Sequence, residues 1–196
     1  MLTSITPLGE RGRNSTWTVT VTAFAFGALA GGVAIGALAG TVGALVLPSG
    51  VGVQVRLAAL AVAGAAAVIL DLRHDPAPGP RRQVNERWLD QYRGWVYGLG
   101  FGAQLGVGVT TVVSSAATYA ALVAACLSRD VAAGALIGGC FGAVRGLTPL
   151  AAARVDQPAR LVAFHRRFDS ARVLSTRLGL LLLGVVLAGA ILGAAL

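Results

Sequence analysis

Residues 17–47 read WTVTVTAFAFGALAGGVAIGALAGTVGALVL, an unbroken apolar run. A helix needs about 20 mostly apolar residues to cross some 30 Å of hydrocarbon, and this run exceeds that length. Four more stretches share its character: residues 53–72, 95–127, 131–150 and 173–196. The chain has 196 residues, 56% of them hydrophobic and only 12% charged, with a mean hydropathy of +0.74. That leaves too little polar surface for a soluble globule. Backbone groups in lipid must be satisfied within the chain, which permits helices or closed barrels. The runs are continuous rather than alternating, so helices are expected. The reading is an all-α, polytopic transmembrane helix bundle: a single integral membrane domain (1–196) of five predicted spans, with interfacial segments at 73–94 and 151–172.

Charge sets the orientation. All 16 basic residues are arginine, and a pI near 11.2 would point to nucleic acid in a soluble protein. Beside membrane spans, arginines instead orient the chain and meet anionic headgroups, so lipid is the expected partner and nucleic acid is not. Arg11 and Arg13 precede the first stretch. Arg73, Arg81, Arg82, Arg87 and Arg93 occupy the second connection, and Arg145, Arg154, Arg160, Arg166, Arg167, Arg172 and Arg177 fill or flank the fourth. Only Arg56 and Arg129 remain for the other side. The positive-inside rule puts the N-terminus in the cytoplasm and Leu196 outside, as an odd number of spans requires. The exclusive use of arginine, together with the Ala, Gly and Val bias, suggests a GC-rich, bacterial source and hence an inner membrane. Ala28-Leu29-Ala30 has the form of a signal-peptide cleavage site, but the apolar run continues far beyond an h-region; a retained first span is expected.

Sliding the chain along itself lays Phe26-Gly27-Ala28 on Phe101-Gly102-Ala103 and Gly31 on Gly106. At the same offset Ala58 meets Ala133, Gly64 meets Gly139 and Leu72 meets Leu147. Spans one and two therefore read as a relative of spans three and four, a parallel repeat. Glycines recur every fourth residue: Gly32, Gly36 and Gly40; Gly98, Gly102 and Gly106; Gly134, Gly138, Gly142 and Gly146; Gly189 and Gly193. Small residues at this GxxxG spacing let helix backbones approach closely in lipid. A compact bundle follows, with self-association or another membrane subunit as expected partners.

The first and third stretches run well past about 20 residues, yet half of either would be too short to span. Each is expected to remain one crossing, tilted, kinked at its glycine-rich part or carrying a water-exposed end. Asp75-Pro76-Ala77-Pro78-Gly79-Pro80 reads as a rigid connector, followed by a helix over 81–93. Residues 158–172 read similarly, with Asp156 as cap and Leu161, Phe164, Phe168 and Ala171 on one face. Arg81, Arg82, Arg87, Arg160, Arg166, Arg167 and Arg172 would meet lipid headgroups or a cytoplasmic partner from these interfacial helices.

Polar residues inside spans are the natural functional candidates. Gln104, Thr111, Ser115 and Thr118 fall on roughly one helical face of span three and form a candidate polar path. The competing account has them bonding their own helix's carbonyls or joining helices. Asp71 and Arg145, near the same ends of spans two and four, are a candidate ion pair; facing headgroups separately is the alternative. Cys126 and Cys140 sit at different depths and are poorly placed for a disulfide. Neither His74 nor His165 has a second ligand at metal spacing. No Walker loop, G-x-S-x-G, H-E-x-x-H or dinucleotide fingerprint occurs, so no cofactor, metal or catalytic activity is expected.

The Gly-rich stretch 95–122, followed by a glycine-ladder span and repeated upstream, faintly resembles the membrane domains of the cytochrome c biogenesis thiol-transfer and LysE-type exporter superfamily. The resemblance covers spans one to four and implies repeated halves that carry electrons or small solutes. The chain departs from that pattern in having five spans rather than six, no Pro-Cys motif and no cysteine pair at matching repeat positions. No functional residue carries over, and electron transfer is not implied. The expected function is a transporter- or exporter-like membrane protein for a small solute or ion. The alternative is a non-transporting subunit or scaffold that recruits a partner through its arginine-rich helices.

Overall fold

The computed structural model describes residues 5–73, 88–110 and 115–195, and every regular element among them is helical. In chain order these are α1 (Pro7–Gly12), α2 (Trp17–Val46), α3 (Val53–Leu72), α4 (Trp88–Gln91), α5 (Gly94–Val107), α6 (Ala117–Ser128), α7 (Val131–Gly146), a 3-10 turn (Thr148–Ala152) and α8 (Pro158–Ala195). Among the described residues four segments are long and apolar enough to cross a membrane: Trp17–Val46, Val53–Leu72, Val131–Ala152 and Arg177–Ala194. Leu45, Val62, Leu136, Val144 and Val185 stand exposed on them. Apolar surface on that scale suits lipid rather than water.

The 30-residue α2, about 45 Å long at 1.5 Å per residue, is the axis of the bundle. Its buried side is almost entirely small: Gly27, Ala28, Gly31, Gly32, Gly36, Gly40 and Gly43 follow Phe24. Gly27 and Gly31 lie on the backbone of Leu99 and Ala103 in α5, while Gly32 and Gly36 lie on Gly138, Gly142 and Gly134 in α7. Gly43 rests on Cys126 of α6. At each of these points a Cβ would collide with the neighbour's main chain, so the helices touch backbone to backbone and gain dispersion contact.

The same contacts give the directions. Gly98, Gly102 and Gly106 of α5 meet Thr20, Phe24 and Ala28 in turn, so α5 runs parallel to α2. The α7 glycines meet α2 in reverse order, which makes that pair antiparallel. On the far side, α3 and α8 are also antiparallel, with Leu187 beside Gly64 and Leu57 beside Gly193. Between the two pairs lies α6, whose Ala120, with the preceding Ala116, is buried against Ala67 of α3 and Leu183 of α8.

Two expectations need correction. The stretch 95–127 is not one helix: α5 stops at Val107, and α6 begins at Ala117. At 14 and 12 residues, the halves are about 21 and 18 Å long, each too short to cross hydrocarbon. The physical reason is in the sequence 106–115, GVGVTTVVSS. Gly, Val, Thr and Ser are weak helix formers, and Gly108 adopts a left-handed φ of 77°, a helix-terminating geometry. The break does not reverse the chain. Gly106 lies at Ala28 and Cys126 at Gly43, so α5 and α6 both advance along α2 in one sense.

The second correction concerns residues 151–172, expected as an interfacial segment separate from a span at 173. Helix α8 instead runs unbroken for 38 residues from Pro158 to Ala195. Asp156 pairs with the Arg160 side chain at 2.9 Å. Nothing between residues 158 and 195 is a strong helix breaker, because the glycines there (Gly179, Gly184, Gly189, Gly193) cost only about 1 kcal/mol each relative to Ala.

Candidate functional site

The helix break is built from three elements. On the α5 side, Gly108 N–H and the Thr110 hydroxyl both donate to the Gln104 carbonyl, at 3.4 and 2.8 Å. On the α6 side, Asp71 of α3 accepts from the donors at the helix start: Ser115 Oγ at 2.7 Å and Ala116 N–H at 2.8 Å. Ser115 Oγ in turn accepts from Ala117 N–H at 3.1 Å. A carboxylate at a helix N-terminus meets the positive end of the dipole. The other end of α6 is served from α3 as well, since Arg56 donates to the carbonyls of Leu127 and Ser128 at 3.1 and 3.3 Å. One helix thus clamps both ends of its neighbour, and the clamp leaves fewer backbone groups unpaired in lipid.

Beside the break is a cavity of about 420 Å³, within the usual range of small-molecule sites. Its walls are mostly apolar: Phe24 from α2, Leu105 from α5, Phe141 from α7, Pro149 from the 3-10 turn and Ile5 from the N-terminal segment. Ser115, Thr118, Thr148 and Arg145 supply the polar lining. The Arg145 guanidinium lies over the Phe141 ring, 5.1 Å from its centroid.

The sequence-derived candidates separate. Ser115 and Thr118 line the cavity, whereas Gln104 contributes its carbonyl to the end of α5. Thr111, Arg81, Arg82 and Arg87 lie outside the described residues, as do the side chains of Arg167 and Arg172. Arg160 is tied to Asp156, and Arg166 is exposed on α8. Asp71 and Arg145 are not an ion pair: Asp71 is held by Ser115 and Ala116, and Arg145 by stacking on Phe141. Because α6 begins beside the last turn of α3, its N-terminus reaches Asp71 and supplies the donors.

A second polar cluster closes the same end of the bundle. Glu10 of α1 is wholly buried. It accepts from Tyr97 at 2.6 Å, Thr20 at 2.7 Å and Arg13 at 2.7 Å. Burial pulls the Arg13 guanidinium down, but its bonds to Glu10 and Tyr97 outweigh that and hold it above its ordinary value. Leu8 N–H also donates to Val155 at 3.1 Å, so α1 is pinned to α2, α5 and the segment before α8. Sequence reading took from residues 1–16 only Arg11 and Arg13, as charges preceding the first span. The signal for α1 was Thr6-Pro7: Thr6 Oγ1 caps Gly9 N–H at 3.0 Å with proline in the first turn.

No family model matches this chain, and neither the curated proteins nor the solved structures yield a significant match.

Proposed function

We propose that this chain is a five-span carrier for a small solute in a bacterial inner membrane, with α1 in the cytoplasm and Leu196 outside. The third crossing is α5 and α6 taken together, which restores an odd number of passes and keeps the arginine-rich connections on one side. The observation that carries the reading is the break in that crossing opening on the cavity of about 420 Å³. Irregular backbone at membrane depth is tolerated where it is buried in protein or lines a cavity. Solute sites in secondary transporters form at such discontinuous helices.

The packing of α2 on α5 supports a parallel two-span repeat. Gly27 lies on Leu99 and Ala103; its counterpart Gly102 lies on Phe24 and Ala28. Gly31 lies on Ala103, and its counterpart Gly106 on Ala28. Each of these two helices meets the other through the same positions, a two-fold relation that stops at the first spans of each copy: α7 packs on α2, whereas α3 packs on α6 and α8. The first copy is continuous; the second is broken, and the break makes the site.

The test is flux. Purified protein is placed in proteoliposomes and challenged with osmotic gradients of small organic anions and of neutral polyols, with swelling followed by light scattering. At least one solute is expected to enter faster than into protein-free vesicles, and Ala117→Phe, which fills the cavity, is expected to remove the difference. Swelling that equals empty vesicles for every solute overturns the proposal. The scaffold reading draws on exposed Arg160 and Arg166, on a helix continuous with a membrane span. It would be favoured if Arg166→Gln released a copurifying protein while flux was absent throughout.

A further inference from the structure

Among the described residues Arg145 is the one cation lining the cavity. Among the described residues no carboxylate lies within ion-pair distance of it. The acids described at this end of the bundle are committed elsewhere: Asp71 to Ser115 and Ala116, Glu10 to Tyr97, Thr20 and Arg13, and Asp156 to Arg160. Arg145 stands in the last turn of α7 and could have extended past the helix end to headgroups. It turns back instead over Phe141, one turn earlier in the same helix. The guanidinium is therefore kept at the cavity, where aromatic stacking supplies only part of what it loses on leaving water.

We propose that this cavity binds a small monocarboxylate with an apolar body. The carboxylate is held by Arg145, with the Thr118 hydroxyl beside it, and the body packs on Phe24, Leu105 and Phe141; the Thr148 hydroxyl is already spent on the Arg145 carbonyl at 2.7 Å. The chemistry follows from the lining. A single guanidinium matches one carboxylate through paired N–H donors. A dianion such as phosphate would leave a charge uncompensated among walls that are otherwise apolar. The apolar walls reject small hydrated anions and accept an aromatic or branched body. The proposal specifies the solute of the carrier reading and rests on it for its purpose, but binding is measured without flux and stands or falls separately.

The experiment is equilibrium binding of radiolabelled benzoate to the purified full chain in mild detergent, competed with benzamide, dodecanoate and inorganic phosphate. Saturable benzoate binding is expected, displaced by unlabelled benzoate and not by benzamide or phosphate. Arg145→Gln is expected to weaken it about tenfold or more, and Arg145→Lys to weaken it less. Displacement by dodecanoate at far lower concentration than by benzoate, lost in Arg145→Gln, would support the carboxylate site and assign its source to the membrane. Equal competition by benzamide, or unchanged affinity in Arg145→Gln, would overturn the proposal. If Arg145→Gln does not fold, Ala117→Phe decides: it keeps the charge and fills the cavity, and benzoate binding that survives in the folded variant overturns the assignment. Absence of any carboxylate binding overturns it as well, whatever the flux assay reports.

Discussion

At the residue scale, the decisive positions are those where a single atom separates fit from collision. Gly108 is one. Its φ of 77° costs an L side chain roughly 1–2 kcal/mol, and a Cβ there would also stand 2.9 Å from the Phe141 ring and 3.0 Å from Thr118 Cγ2. Gly108→Ala should therefore lower stability by about 2 kcal/mol or more, visible as an earlier thermal transition of the detergent-solubilised protein. It should also disturb the cavity wall that Phe141 forms. Tyr97 is another such position. Removing its hydroxyl leaves Glu10 buried with one strong donor fewer, a loss of about 1–3 kcal/mol. Tyr97→Phe should therefore melt earlier than wild type and expose α1 to added protease before the rest of the bundle. A variant as stable and as protease-resistant as wild type would show that Glu10 does not hold α1.

At the element scale, α6 depends on its neighbour. A 12-residue apolar helix is marginal alone, and α3 supplies an acid at its positive end and a cation at its negative end. Asp71→Ala and Arg56→Ala should each destabilise it by about 1–2 kcal/mol. The effects should be local: hydrogen exchange would rise in 115–128 ahead of α2 and α7, and uniform exchange across all three helices would contradict the clamp. This clamp is also where sequence reading stops. Asp71 and Arg56 were visible as charges at the two ends of one apolar stretch, but what they meet depends on where a different stretch breaks. The break itself had a local signal in the β-branched and hydroxyl residues of 106–115. Length arithmetic outweighed that signal, because neither half could cross a membrane alone. The halves are stable because α2 provides a continuous backbone surface along both. In the same way, Glu10 could be read only as a tail charge until Tyr97, far along the chain, was seen to reach it.

At the scale of the whole molecule, the helical, membrane-embedded class was legible from apolar length and composition alone, whereas the position of the site required the relative depth of five segments. Depth also makes orientation testable. Helix directions alternate through α2, α3, the α5–α6 pair, α7 and α8, and a break that does not turn the chain back preserves that alternation. If the proposed five passes are right, cysteine-accessibility labelling of intact cells should modify a cysteine placed at Ser49, in the connection between α2 and α3, and one appended after Leu196. A cysteine at Asn14, beside α1, should react only after the membrane is permeabilised. The arginine distribution makes a further demand on the same assay. Adding arginines around Ser49 while replacing Arg11 and Arg13 should raise the fraction of inverted chains, because positive residues close to span ends direct insertion. A re-entrant α5–α6 segment would behave differently: it would leave four crossings and put Leu196 on the same side as Asn14. The labelling pattern of those two positions therefore discriminates a broken third span from a hairpin that never crosses, and the carrier reading survives only the first.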